Sequence, residues 1–105
     1  MQILAIEVIL MTLTVNHQLA LLYDLLGEHT EYCCGEIAEY QQIKRLVQSL
    51  MAKNSITDEQ LLELLPEIYD YGRQGEIAQN LTEHTTMNKV NIENWMSAIT
   101  HVNLH

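Results

Sequence analysis

The chain predicts an all-α fold, an antiparallel three- or four-helix bundle. Apolar residues recur at helical spacing through most of the sequence, β-branched residues never alternate cleanly beyond the first fifteen positions, and one segment carries a complete helix start signal. A length of 105 residues fits one domain and suffices to bury a core without disulfide bonds. Hydrophobic residues make up 48% and charged residues 18%, with no Phe and one Pro, so the chain folds and its core falls to Leu and Ile. The helical domain is expected to span residues 11–105, with 1–10 as a non-native start or an extension.

The first helix is capped by Thr14 or Asn16. Val15, Leu19, Leu22 and Leu26 form its apolar stripe, Leu21 and Leu25 widen it, and Gly27 marks its end. A second helix is expected after Thr30 and runs to about Lys53, with Cys33, Ile37, Tyr40, Val47, Leu50 and Met51 near one face. Glu31, Glu36 and Glu39 stand early in it and Lys44, Arg45 and Lys53 late, the order that suits the helix dipole. The third start signal is the clearest. Thr57 at the N-cap places Gln60 at N3 for a capping box, and Ile56 pairs with Leu61 as a hydrophobic staple.

Leu61, Leu62, Leu65, Ile68 and Tyr69 supply the third stripe, which is expected to close over residues 71–75. Pro66 removes the hydrogen bond to Leu62 and is expected to kink or split this helix. Ile77, Ala78 and Leu81, then Ile92, Trp95, Met96, Ile99 and Val102, keep a helical period. The polar stretch from Thr82 to Asn91 leaves one weakened helix or two, with Asn91 capping the second. The expected core is Leu19, Leu22, Leu26, Ile37, Val47, Leu50, Leu61, Leu65, Ile68, Trp95 and Ile99.

Fourteen acidic residues against five basic ones give a formal net charge of −9. Such a field repels phosphate backbones and anionic lipid, so neither nucleic acid nor a membrane is an expected partner. The apolar opening Met1 to Leu10 lacks a basic leader region and a small-residue cleavage site, Glu7 interrupts it, and it is too short to span a bilayer. Two adjacent cysteines without a disulfide-dense pattern read as free thiols in a cytoplasmic protein.

Metal or redox chemistry has one place to gather, the segment Glu28 to Gly35. If it is helical, His29 and Cys33 share a face, and Cys34 points about 100° away. That gives too few ligands for zinc, and neither His17 nor His84 belongs to a second paired motif. Packing of Cys33 and Cys34 as small apolar residues, with His29 capping the carbonyls behind Gly27, is the favoured reading. A lowered thiol pKa at a helix start after Thr30 is opposed by Glu28, Glu31 and Glu36, and a vicinal disulfide sits badly in a helix.

His101 and His105 are also four apart but terminal. The acidic groups Glu36 with Glu39, and Asp58, Glu59 and Glu63, stand where solvated helix faces carry carboxylates. No phosphate loop, nucleophile elbow or zinc-protease motif occurs. Tyr23, Tyr32, Tyr40, Tyr69, Tyr71 and Trp95 read as core-edge residues with wet polar tips, or as an interaction patch if exposed together.

Met11-Thr12-Leu13 with His17-Gln18-Leu19, His29, Cys33-Cys34-Gly35, the run Arg45 to Leu50, and Glu67-Ile68-Tyr69-Asp70-Tyr71 together resemble the YtzH-like family of small proteins from spore-forming Gram-positive bacteria. The resemblance covers about Met11 to Trp95, weakly after Gly75. It implies a start near Met11 and a cytoplasmic bacterial protein, with no catalytic residues and no cofactor to carry over. The expected function is a non-enzymatic protein-interaction or regulatory module, acting on a protein partner or as a homodimer. The alternative is a metal- or thiol-responsive switch using His29 with Cys33 and Cys34.

Overall fold

A computed structural model describes residues 14–32, 37–53 and 56–103. Five helices are found among them: α1 (Val15–Tyr32), α2 (Ile37–Lys53), α3 (Glu59–Ile77), α4 (Leu81–Met87) and α5 (Lys89–Asn103), with no strand. Residues 1–10, Cys33, Cys34 and His105 lie outside the described residues.

Start signals decide where the helices begin. Thr14 caps α1, its Oγ1 accepting from the His17 amide at 3.2 Å. Asp58, one residue after the expected Thr57, caps α3 and accepts from the Leu61 amide at 2.9 Å. An aspartate is at least as good an N-cap as threonine, and its charge also suits the helix dipole. The shift dissolves the Thr57 to Gln60 box, while Ile56 and Leu61 are both still buried. Asn80 caps α4 by accepting from the Glu83 amide at 3.0 Å.

Two helices continue past their expected ends. Helix α1 passes through Gly27 to Tyr32. This glycine provides room rather than a stop, since a Cβ on it would lie 3.3 Å from Cε of Met96 on α5. Helix α3 passes through Tyr71 to Gly75 and ends at Ile77, with Pro66 inside it. Pro66 and Leu62 are both on the exposed side, so the Leu62 carbonyl that loses its partner faces water, and the helix is not split.

The last segment resolves into two helices, with the break at Asn88 rather than a cap at Asn91. The Asn88 amide donates to the Thr85 and Thr86 carbonyls, its side chain donates to the His84 carbonyl at 2.9 Å, and its own carbonyl accepts from Ile92. One asparagine thus closes α4 and opens α5.

Cross-helix pairs show the packing order. Gln18 meets Ser49 and His29 meets Glu39, so α1 and α2 run antiparallel. Tyr40 lies against Gly75, Lys44 pairs with Glu76 at 2.6 Å, and Gln48 reaches Tyr69, so α2 and α3 are antiparallel as well. Gly27 faces Met96 near one end of α1, and Val15 shares a groove with Val102 near the other, which sets α5 antiparallel to α1. Helix α3 also touches α5 and closes the ring. The result is a four-helix bundle with α4 as a short fifth piece between α3 and α5.

Ten of the eleven expected core residues are buried, joined by Leu25, Tyr40, Ile43, Leu46, Ile56, Tyr71, Ile92 and Ala98. Ile37 is the exception at 50% exposure, because it is the first residue of α2 and extends past the neighbouring stripes. Met51, grouped with the same face, is also exposed.

The α2 and α3 contact is unusually close. A Cβ on Gly72 would stand 2.8 Å from the Tyr40 carbonyl oxygen, and one on Gly75 would overlap the Tyr40 ring. Gly75→Ala is therefore expected to cost about 1 to 3 kcal/mol through overpacking. Leu65→Ala, at a fully buried site, is expected to cost about 2 to 5 kcal/mol. Urea titration of both variants checks these values.

Candidate functional site in the bundle interior

The chemistry-bearing side chains that the bundle gathers lie in its interior. His29 continues the α1 stripe, three residues beyond Leu26, and is 0% exposed. Tyr40 begins the buried face of α2, Tyr71 lies on the buried face of α3, and Thr85 is the buried residue of α4. His84 of α4 stacks on Tyr71 with ring centroids 4.7 Å apart and planes 14° from parallel. Trp95 of α5 packs against the other rings through Tyr71, at 5.5 Å.

Hydrogen bonds tie these groups into a chain. Nδ1 of His29 is 2.8 Å from the Tyr71 hydroxyl, which is 3.4 Å from Oγ1 of Thr85, which in turn is 2.5 Å from the Tyr40 hydroxyl. Nε2 of His84 donates to the Tyr71 backbone carbonyl at 3.0 Å. Nε2 of His29 has no hydrogen-bond partner among the described residues, and the Glu39 carboxylate stands 3.6 Å away. The Tyr40 and Tyr71 hydroxyls are thus enclosed rather than wet. His29 does not cap the carbonyls behind Gly27; Thr30 donates to the Gly27 carbonyl instead, at 2.8 Å.

Burial decides the charge state. It lowers the His29 pKa from 6.5 to about 4; Glu28 opposes this shift and His84 adds to it. Burial also raises the Tyr71 phenol well above its ordinary value, against the hydrogen bond from Thr85. Both rings are neutral near pH 7, so the cluster holds helices together by hydrogen bonds and ring contacts, without an ion pair through His29.

The other expected site residues are placed differently. Cys33 and Cys34 lie outside the described residues. Among the described residues, no group of three or more His, Cys, Asp or Glu side chains converges in a way that could hold a metal ion. His17 and His101 are exposed, and His84 lines a surface groove, about 400 Å³ in volume, with Ala78, Asn80, Glu83 and Met87. Among the described residues no helix is long and apolar enough to cross a membrane. Spacing reads Tyr40 and Tyr71 as apolar-face residues but not as partners of Thr85, because 45 and 14 residues separate them from it.

The model of the family described as YtzH-like protein matches residues 13–99. The chain belongs to the YtzH-like family. It is 34% identical over 86 residues to "Uncharacterized protein YtzH" of Bacillus subtilis (strain 168), an alignment that covers 82% of this chain and 92% of that relative. No solved structure matches it. The matched range takes in all of the buried cluster and leaves residues 1–10 outside.

The linkage has a definite sign. His29 binds a proton less readily folded than unfolded, so stability is level above about pH 6.5 and falls as the pH drops from 6.5 toward 4. The loss from this group approaches about 3 kcal/mol, at 1.36 kcal/mol for each unit between the two pKa values. Urea unfolding between pH 7.5 and 4 is expected to show this acid loss in the wild type and a smaller one in His29→Gln. Equal slopes for the two proteins would refute it.

Proposed function

We propose that this member of the YtzH-like family is a non-enzymatic, cytoplasmic protein-interaction module, acting on a protein partner or as a homodimer. The carrying observation is the division between interior and surface. His29, Tyr40 and Tyr71 are buried and join helices, whereas large apolar side chains are left to solvent. Ile77 at the end of α3, Met87 at the end of α4 and Val90 in the first turn of α5 are 75%, 74% and 69% exposed. All three belong to the junctions around α4, and Met87 lines the groove with Ala78 and His84. Exposed apolar groups of this size support recognition by another protein surface.

The test combines sedimentation at several concentrations with affinity capture on the full chain, comparing wild type with the Ile77→Asp, Met87→Asp double variant. Both substitutions are at exposed positions, so the helical circular dichroism spectrum should be unchanged while the association is lost. A wild type that remains a 12.1 kDa monomer and captures no protein would contradict the reading. Zinc should leave melting unchanged in wild type and Cys33→Ser alike. Zinc stabilisation abolished by Cys33→Ser would replace this reading with a metal- or thiol-responsive one on His29, Cys33 and Cys34.

A further inference from the structure

Helices α1 and α5 pack antiparallel, and the seam between them is open on its solvent side. Two hollows of about 520 and 500 Å³ lie along it and share Tyr23 of α1 and Met96 of α5, so they form one groove. Gly27 lets Met96 come close to α1, and Tyr23, one helical turn before Gly27, is left 37% exposed. An aromatic ring and a thioether in one groove wall are adaptable contacts for apolar side chains of another molecule.

The rim of this groove carries one sign of charge. Asp24 and Glu28, one turn apart on α1, border one hollow, and Glu93 of α5 borders the other. Helix α1 holds no Lys or Arg, and the single Lys of α5, Lys89, lines neither hollow. None of the three carboxylates pairs with a Lys or Arg among the described residues, whereas Lys44 and Arg73 are taken up by Glu76 and Asp70 on α2 and α3.

An apolar strip flanked by carboxylates complements a helix that has apolar residues along one face and cations beside them. Asp24 and Glu28 are four residues apart, the spacing at which Lys or Arg residues recur on one side of such a helix. The formal net charge of −9 draws the same partner in from a distance. We propose that the groove between α1 and α5 docks a cationic amphipathic helix of a partner protein, with its apolar face on Tyr23 and Met96 and its Lys or Arg residues on Asp24, Glu28 and Glu93. The proposal rests on the reading of the chain as a protein-interaction module and names the partner's chemistry, but it uses none of the residues of the Ile77 and Met87 surface.

Fluorescence anisotropy on the full chain tests it, with a labelled synthetic amphipathic helix of lysines and leucines as the probe. At about 0.15 M salt, fields beyond about 8 Å are screened, so the position of a charge counts for more than the total. Asp24→Asn, Glu28→Gln and Glu93→Gln together should weaken binding about tenfold. Glu59→Gln, Glu63→Gln and Glu67→Gln, which remove the same charge from exposed positions on α3, should cost less than about twofold. Tyr23→Ala should weaken binding several-fold, and a peptide with serines in place of the leucines should bind far more weakly. The Ile77→Asp, Met87→Asp variant should bind at least as tightly as the wild type, and every variant should keep the helical circular dichroism spectrum. The proposal is overturned if the wild type does not bind the probe, if both triple variants lose equal affinity, or if the serine peptide binds as well, which would leave a site for polycations only. It is also overturned if the wild type forms a dimer that the groove variant breaks, which would make the occupant a second copy. Loss of binding in the Ile77, Met87 variant would move the helix to that surface, overturning the groove while leaving the interaction-module reading in place.

Discussion

His29 is buried without charge where α1, α2 and α3 meet, so its ring must find hydrogen bonds inside the protein. An unmade hydrogen bond at such a site costs about 1 to 3 kcal/mol, a large share of a small domain's stability. Tyr71 meets the demand at Nδ1, and Thr85 and Tyr40 meet those that Tyr71 then creates. Because these residues come from four different helices, meeting the demand at Nδ1 sets the rotation of α1, α2 and α3 and the docking of α4. The glycines of α3 follow from the same demand, since Tyr40 can enter the interior only where Gly72 and Gly75 leave space for its ring and backbone.

Hydrophobic residues supply the bulk of the burial around this chain. Leu19, Leu22 and Leu26 on α1 meet Ile43, Val47 and Leu50 on α2, and Leu61, Leu65 and Ile68 complete the interior from α3. Such stripes specify which face of each helix points inward, but Leu and Ile tolerate rotation of one helix against another. A hydrogen-bonded set of rings does not. The cluster thus adds register to a bundle that the leucines alone would hold more loosely.

The stripes were legible because they need only local spacing, and this is why the all-α bundle and ten of its expected core residues are found in place. The cluster was not, although part of its signal was present: His29 lies three residues after Leu26 on one stripe. Reading Gly27 as a helix end concealed it, since glycine serves equally for a stop and for a close approach, and only the position of Met96 distinguishes these. The Thr57 cap failed against a neighbour of equal strength, Asp58, and Pro66 was harmless because it faces water. Partnerships such as Tyr40 with Thr85 depend on tertiary packing, which helical periodicity cannot reveal.

His29, Tyr40 and Tyr71 are buried in the bundle, whereas the large apolar side chains of Met87 and Ile77 are exposed. The account rests on His29 being a buried, neutral ring joined to the Tyr71 hydroxyl at Nδ1. Nitrogen-edited NMR of the histidine rings across pH 7.5 to 3.5 measures this directly. The account predicts that His29 is neutral at pH 7 and stays so until about pH 4. A His29 ring that titrates near 6.5 would contradict it.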